Sequence, residues 1–173
     1  MAANDLIKTL EAKAKDEILM LDGAMGTMLQ KYAFSEEQFR GERFAGWKTS
    51  VQGNNDLLNL TQPDAVRDIH TSFIEAGADL IETNTFSATT IAQGDYHMQD
   101  LAGEIAEAGA RLAREAADAA GRPVGVLGAI GPTNKTLSLS PDVNNPGYRE
   151  VTFDDVRDAY LEQAQAMAAH VDV

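Results

Sequence analysis

Apolar residues occur in this chain in two patterns, as short continuous runs and as stretches with helical spacing. Each continuous run ends in a polar cluster. Strands buried on both faces of a parallel sheet require continuous apolar runs, and their carboxyl ends open into loops that gather ligand-binding groups on one rim. The pattern therefore predicts a binding site at the carboxyl ends of parallel strands near 18–22, 79–83 and 124–130.

Between these runs, apolar positions recur at the three- and four-residue intervals of amphipathic helices. We expect a lead-in helix over 5–17, a short helix after a capping box at Ser35 and Gln38, and a helix from Pro63 that ends at Gly77. An alanine-rich helix runs from Met98 to Gly121. A last helix follows the capping sequence at Thr152, with one predicted face made of Val156, Tyr160, Ala164 and Met167.

Two long stretches, 40–55 and 131–151, predict irregular structure. The second is longer than the usual βα connection of about 2–6 residues, which favours a functional loop. Within it, 140–149 either meets a partner domain or is a solvent-exposed loop held by its prolines. Trp47, in the first stretch, either anchors that loop over the core or rests on the surface.

The order of elements gives about three strand–helix units, and 170–173 resembles the start of another strand. A closed barrel requires eight strands and typically about 250 residues. With 173 residues, the chain is predicted to be α/β and to form the amino-terminal portion, about half, of a TIM-type (β/α)8 barrel. We divide it into a lead-in helix, 1–17, and a truncated barrel domain, 18–173.

Composition narrows the classes of function. The net charge of −13 disfavours a nucleic-acid partner, because phosphate binding needs clustered Lys and Arg. No apolar stretch approaches the roughly 18 residues of a membrane span, and the first residues lack the features of a secretory signal, so we expect a cytoplasmic protein without membrane contact. The sequence contains no cysteine, which excludes disulfides and thiolate metal sites from this chain.

Five segments resemble the homocysteine-binding domain of cobalamin-dependent methionine synthase: LDGAMGTMLQ (21–30), GNNDLLNLTQP (53–63), AGADLIETNTFSA (76–88), GPTN (131–134) and SPDVNNPGYREVTF (140–153). The first and third are typical of the wider homocysteine S-methyltransferase family. The second and fifth are more specific for the cobalamin-dependent branch. The resemblance covers nearly the whole chain, from about Ile18 to the end.

The resemblance implies a barrel that binds homocysteine and presents its sulfur, as a zinc-bound thiolate, to methylcobalamin on another domain. Coordination to zinc keeps a thiol deprotonated at neutral pH. In the family, three cysteines from later strands bind the zinc, and this chain has none. We therefore expect neither zinc nor cobalamin bound to this chain alone, although the full-length family enzyme uses both and also has a folate-binding domain.

Part of the substrate pocket is expected in this chain. Asp22 matches the family's acidic residue for the homocysteine amino group, although a strand-end Asp is also a common turn cap. Gly23 and Gly26 either let the backbone approach a ligand or form a tight turn with positive φ. The remaining candidates are Glu82, Thr83 and Asn84 after the second strand and, more weakly, Asn134 beside Thr133.

Glu82 was expected to be buried, and therefore either to face the pocket or to organise the barrel interior. Gly-Pro-Thr-Asn at 131–134 is also ordinary turn chemistry. The three histidines, His70, His97 and His170, are too scattered to form a metal site. No residue of this chain was assigned a catalytic or metal-binding role.

Two classes of function follow. In one, the chain is the amino-terminal part of a methionine synthase, which forms methionine from homocysteine with a methyl group from methylcobalamin, itself recharged by 5-methyltetrahydrofolate. In the other, it is a non-catalytic remnant or binding module; a fragment of a cobalamin-independent homocysteine S-methyltransferase is a further alternative. In each case we expect the isolated chain to be inactive, and its open sheet edge to favour self-association.

Overall fold

A computed structural model describes residues 3–173 of the chain. Its helices are α1 (Ala3–Lys13), α2 (Met25–Gln30), α3 (Glu36–Arg40), α4 (Leu58–Thr61), α5 (Pro63–Glu75), α6 (Thr90–Gln93), α7 (Ala102–Ala119) and α8 (Phe153–Met167). Its strands are β1 (Leu80–Glu82) and β2 (Gly125–Leu127), and short 3-10 turns lie at Asn55–Leu57, Gly94–Tyr96 and Gln99–Leu101. The α/β class predicted from the sequence is confirmed.

The sheet is parallel and short. β1 and β2 pair with Ile81 opposite Val126, and Leu21 forms an isolated parallel bridge to Leu80 on the other side of β1. The predicted order of the three strand segments is therefore confirmed. The predicted strand at 18–22 is wrong in extent, because only Leu21 pairs. Ile18, three residues before Leu21, is 87% exposed. On that side of the sheet the described residues provide no further strand with which this segment could pair.

The predicted strand at 124–130 also ends early, after Leu127. Side chains replace the backbone ladder beyond that point, since the Ala129 N–H donates to Thr83 Oγ1 at 2.9 Å and Thr85 Oγ1 donates to the Ala129 carbonyl at 2.8 Å. The predicted strand at 170–173 is not formed as a strand, although the Asp172 N–H donates to the Val126 carbonyl at 2.8 Å.

Helix α7 lies at the centre of the core and packs against α5 and α8. Ile105 and Leu112 are fully buried on it, each contributing roughly 1.5–3 kcal/mol by leaving water. Small alanines between them let the neighbouring helices and the sheet approach closely. The alanine-rich sequence therefore serves both helix formation and close packing.

Helix ends follow the local signals. Capping boxes are present at Ser35 with Gln38 and at Thr152 with Asp155, and Gly77 adopts φ +108° two residues past α5. The lead-in helix ends at Lys13 rather than at 17. Residues 1 and 2, at the start of the predicted lead-in segment, lie outside the described residues, and the division of the chain at residue 17 stays a prediction.

The predicted face of α8 is partly wrong. Ala164 is exposed, whereas Ala159 and Gln163 are buried together with Met167. Gln163 is drawn inward because its side-chain amide donates to the Thr85 carbonyl, at 2.5 Å. A polar residue on the buried face has no signature in the apolar spacing from which the face was predicted.

The two irregular stretches are confirmed, and each is held by specific hydrogen bonds. Glu36 fastens the first, since its carboxylate accepts from Ser50 Oγ and from the N–H groups of Val51 and Gln52, at 2.8–3.0 Å. Trp47 anchors the same loop, donating from Nε1 to the Tyr96 carbonyl at 2.9 Å. In the second stretch Arg149 donates to four backbone carbonyl groups.

Of the helices in the described part of the chain, none has the length and apolar character that a membrane crossing would require.

Candidate functional site

A cavity of about 460 Å³ opens at the carboxyl ends of β1 and β2. Its walls come from the turn after Leu21, the segment before α4, the segment after β1 and the start of the long loop. All seven residues predicted as substrate-binding line it: Asp22, Gly23, Gly26, Glu82, Thr83, Asn84 and Asn134. Their position at one cavity is thus established, while their role in binding stays a prediction.

Asp22 connects the turn after Leu21 to the end of β1. Its Oδ2 accepts the backbone N–H of Glu82 at 3.2 Å, so the two acidic residues lie at the same end of the sheet, as expected from the ends of their apolar runs. Burial raises the pKa of Asp22 to about 6, and the nearby Glu82 carboxylate adds to the rise, while the hydrogen bond from the Glu82 N–H opposes it. A cationic ligand group would restore the ordinary acidity of this carboxyl.

Glu82 differs from expectation. The sequence suggested a buried carboxylate, whereas the structure leaves Glu82 exposed at the edge of the cavity. The apolar run that precedes it alternates in burial along the strand, so only Ile81 points into the core. Glu82 therefore faces the cavity side and does not organise the interior beneath it.

Thr83 and Asn84 form the wall between the cavity and the core. The Thr83 hydroxyl lies 2.6 Å from Thr85 Oγ1. The side-chain amide of Asn84 donates to Asn59 Oδ1 and to the Asn55 carbonyl, at 2.9 Å each, so both of its donors are already used. These two residues consequently shape the cavity more than they offer free groups to a ligand.

The two glycines do not have the positive φ that one interpretation required, since neither is among the positive-φ glycines of the described chain. A Cβ at Gly23 would lie 3.0 Å from Phe73 Cε1, and one at Gly26 would lie 3.6 Å from Asn55 Nδ2. Gly23 is therefore explained by the close approach of Phe73, which lets the turn after Leu21 lie low against α5.

Asn134 lies at the mouth of the cavity. It is exposed, and its Nδ2 donates to Asp95 Oδ2 at 2.7 Å, which ties the long loop to the opposite wall. Thr133 does not line the cavity, and its hydroxyl accepts the Lys135 N–H at 3.2 Å in a local turn. Of the two weaker candidates, Asn134 therefore lines the cavity, whereas Thr133 stabilises a local turn.

Asp56 is the main residue that the sequence analysis missed. It lines the cavity, is only 5% exposed, and accepts the Ser87 N–H on Oδ1 at 2.9 Å. Burial raises its pKa to about 6, against the effect of that hydrogen bond. The sequence contained one signal for Asp56: it is the acidic residue of the GNND segment and stands directly before the buried pair Leu57 and Leu58.

A buried amide network supports this wall. Asn54 Nδ2 donates to Gln93 Oε1 at 2.7 Å, and Gln93 Nε2 donates back to Asn54 Oδ1 at 3.1 Å and to the Ser87 carbonyl at 3.0 Å. Because all of these groups are buried or half-buried, the pairing satisfies polar atoms that would otherwise be costly to bury. The segment before α4 and the segment after β1 are thereby held as one unit.

The cavity is anionic. Its lining includes the carboxyl groups of Asp22, Asp56, Glu82 and Asp95, and no Lys, Arg or His is among the described residues that line it. Tyr96 lies close enough that burial first, and then the charges of Asp56 and Asp95, raise the pKa of its phenol. This lining suits a small ligand with a cationic group.

The residues of this chain do not fit a resident zinc ion. The sequence has no cysteine, and in residues 3–173 no three His, Cys, Asp or Glu side chains are grouped so as to hold a metal. His70 is fully buried within α5, whereas the sequence favours a solvated or helix-terminal histidine there, and His97 is an exposed residue with φ +57°. No step of the chemistry is therefore assigned to a metal in this chain.

Comparison with known proteins agrees with the fold. The family model described as homocysteine S-methyltransferase matches residues 19–173. The oxidized form of the Escherichia coli homocysteine methyltransferase MmuM is similar in structure, with a TM-score of 0.64 at 21% identity over 93% of this chain and 53% of that one. The metallated form of the same enzyme matches with a TM-score of 0.64 at 18% identity, over 93% of this chain and 54% of that one.

The chain therefore belongs to the homocysteine S-methyltransferase family. It spans about half the length of the solved structures that it matches, and its short parallel sheet with flanking helices corresponds to part of their TIM barrel. Family membership supports homocysteine methylation as the family's chemistry, and one of the two matched structures is a metallated form of its enzyme.

Proposed function

We propose that this chain is the homocysteine-binding portion of a cobalamin-dependent methionine synthase. In this proposal the cavity holds homocysteine while methylcobalamin, recharged by 5-methyltetrahydrofolate on partner domains, supplies the methyl group. The observation that carries the proposal is that all seven residues expected to bind substrate line one acidic cavity. The specific segments 53–63 and 140–153 favour the cobalamin-dependent branch over other members of the family.

Asp22 is the proposed anchor for the substrate. An ammonium group beside a half-buried carboxylate gains a charge-assisted hydrogen bond that water does not fully replace. Asp22 is already oriented by the Glu82 N–H, so little side-chain freedom is lost on binding. The cytoplasmic location inferred from the sequence stays part of this proposal.

The chain alone is proposed to bind homocysteine without methylating it. A thiol is a weak nucleophile at neutral pH until it is deprotonated, and zinc ligation is the usual means in such sites. The residues needed for that ligation are not grouped in the described part of this chain. Activation of the sulfur would come from residues that this chain does not contain.

Titration calorimetry of the purified chain with homocysteine tests the proposal. Asp22→Asn should weaken binding about 10-fold or more, as expected for a lost charged hydrogen bond. The exposed Asp68→Asn, on α5 and outside the cavity, should bind like wild type. The analogue 4-mercaptobutyrate, which lacks the amino group, should bind wild type and Asp22→Asn equally.

Two results would contradict this proposal. Wild type that shows no affinity for homocysteine would remove the binding function. Elemental analysis that finds stoichiometric zinc, together with methionine formed from methylcobalamin, would overturn the inactivity of the isolated chain.

A further inference from the structure

Asp56 is a buried acid in a cavity wall to which the described residues contribute no Lys, Arg or His. It lies in the 3-10 turn Asn55–Leu57, is 5% exposed and faces the cavity. Oδ1 accepts the Ser87 N–H at 2.9 Å, and the backbone N–H of Asp56 itself also bonds to this carboxyl, so the partners of the carboxyl are neutral N–H groups and not cations. Buried carboxylates are normally paired, because an uncompensated charge in the interior is strongly unfavourable.

The carboxyl is held firmly in this orientation. Ser87 is fixed from both sides, with its N–H on Asp56 and its carbonyl on Gln93 Nε2 at 3.0 Å. Gln93 is fully buried and is itself locked by its two hydrogen bonds with Asn54. Asp56 therefore cannot turn away without breaking its hydrogen bond to a Ser87 N–H that is itself firmly held.

The surroundings favour a cationic partner from outside the protein. Asp22, Glu82 and Asp95 line the same cavity, and no Lys, Arg or His does so among the described residues. The raised pKa of Asp56, caused by burial, is what such an unpaired position produces. A ligand ammonium would supply the missing charge and return this pKa toward its ordinary value.

We propose that Asp56 is a second carboxylate contact for the ammonium group of an amino-acid ligand in the cavity, in addition to Asp22. The inference rests on the proposed function, because it takes homocysteine as the ligand. It adds a residue that neither the resemblance nor the family assignment singled out. Asp56 is thus a direct binding residue, and its hydrogen bond to Ser87 sets the position of its charge.

The substitution Asp56→Asn separates charge from position. Asparagine keeps the size of the side chain and an oxygen that accepts the Ser87 N–H, while it removes the negative charge and replaces the other oxygen by an NH2 donor. We expect homocysteine binding to weaken at least 10-fold in Asp56→Asn, measured by calorimetry at pH 7.5. Binding of 4-mercaptobutyrate should not change, and the Asp68→Asn control should match wild type.

Proton release gives a second readout that does not depend on folding of the Asp56 variant. At pH 6 wild type should release protons when homocysteine binds, since a cation lowers the pKa of both acids. Release is measured by titration in two buffers of different ionisation enthalpy. Asp22→Asn should still release protons, from Asp56, at a homocysteine concentration raised to match its weaker affinity.

The outcomes are distinguishable. Wild-type affinity in Asp56→Asn, or no proton release from Asp22→Asn, would overturn the role of Asp56 and leave the proposed function standing. Loss of binding in Asp56→Ala with full binding in Asp56→Asn would also overturn it, because the side chain would then only position Ser87. Wild type without affinity for homocysteine would overturn both proposals.

Discussion

His70 is a residue whose environment conflicts with its chemistry. It is fully buried on α5, and within the described chain neither ring nitrogen has a hydrogen-bond partner. Burial lowers the pKa of its imidazole to about 4, from an ordinary value of 6.5. Between these two pH values the unfolded chain binds a proton that the folded chain does not. Stability from this group is therefore present above about pH 6.5 and lost as the pH falls toward 4.

Replacing His70 by leucine should remove this acid sensitivity. We expect His70→Leu to be at least as stable as wild type at pH 7.5, and to lose less stability on acidification, by up to about 3 kcal/mol at pH 4. Urea unfolding at both pH values measures the difference. The exposed His97→Asn, which suits a residue with φ +57°, is the control. An unchanged pH slope in His70→Leu would contradict the explanation.

Asp56 has the opposite dependence on pH. Its pKa of about 6 in the folded state lies above the ordinary value of 3.8, so the folded state binds more protons between these two pH values. Stability therefore decreases as the pH rises through 6, and the ionised carboxyl is a liability in the ligand-free protein. We expect Asp56→Asn to raise the free energy of unfolding at pH 8 by about 1–3 kcal/mol and to have little effect at pH 4.

Thermal and urea unfolding at the two pH values check this expectation for Asp56. If Asp56→Asn and Asp56→Ala were destabilised equally at pH 8, the carboxylate would be a structural asset and not a cost. A variant that is more stable yet binds homocysteine more weakly would show that stability is sacrificed at this position for binding.

The candidate residues that the sequence predicted share one property, which is their place at the end of an apolar run. Asp22 and Glu82 are recognisable because parallel strands carry their carboxyl ends to one edge. Asp56 is not recognisable in this way, since its burial depends on Ser87, 31 positions further along the chain. A side chain that is held in place by a backbone group far along the chain leaves no local signal in the sequence.

At the level of elements, glycine in α7 shows how the helix and the cavity wall constrain each other. A Cβ at Gly109 would lie 2.5 Å from Asn59 Nδ2 and 3.0 Å from the Asn84 carbonyl, which are joined to each other by a hydrogen bond of 2.7 Å. A Cβ at Gly103, on the same helix, would meet only the flexible end of Glu162, at 3.3 Å. The first glycine is therefore required by packing and the second is not.

Alanine at these two positions should have opposite effects. Gly109→Ala should destabilise the protein by about 1–3 kcal/mol through overpacking, and weaken ligand binding by displacing Asn84. Gly103→Ala should be neutral or stabilise by up to about 1 kcal/mol, because alanine favours the helix. Thermal unfolding of both variants measures the difference. Equal behaviour of the two variants would show that the hydrogen-bonded pair Asn59 and Asn84 tolerates displacement.

Elements with local signals were predicted well, and those that depend on a neighbour were not. The capping boxes of α3 and α8 contain their own hydrogen-bond partners within four residues, so their starts could be read from the sequence. The strand at 18–22 needs a pairing partner along its whole length, and the described residues pair it only at Leu21. Strand extent is a property of the sheet rather than of the segment.

At the level of the whole molecule, the sheet has one edge that is open and apolar. Ile18 is 87% exposed, Met20 58% and Leu21 46%, all on the segment that pairs with β1 only through Leu21. The opposite edge is different, because Asp172 and Val173 form hydrogen bonds with β2 and its continuation. Exposed backbone groups beside apolar side chains are the usual template for pairing with another chain.

We expect the chain to self-associate through this edge. A lysine at Ile18 or Met20 would place a charge where a second copy must pack, so Ile18→Lys and Met20→Lys should shift the chain toward monomer in sedimentation velocity over a concentration series. Val143→Lys is the matched control, since Val143 is 91% exposed on the long loop, away from the sheet edge. Wild type that stays monomeric throughout, or a control that dissociates as much as the edge variants, would contradict this expectation. Association that disappears only in the edge variants would assign the contact to the segment at 18–21, where the sheet is left without a neighbouring strand.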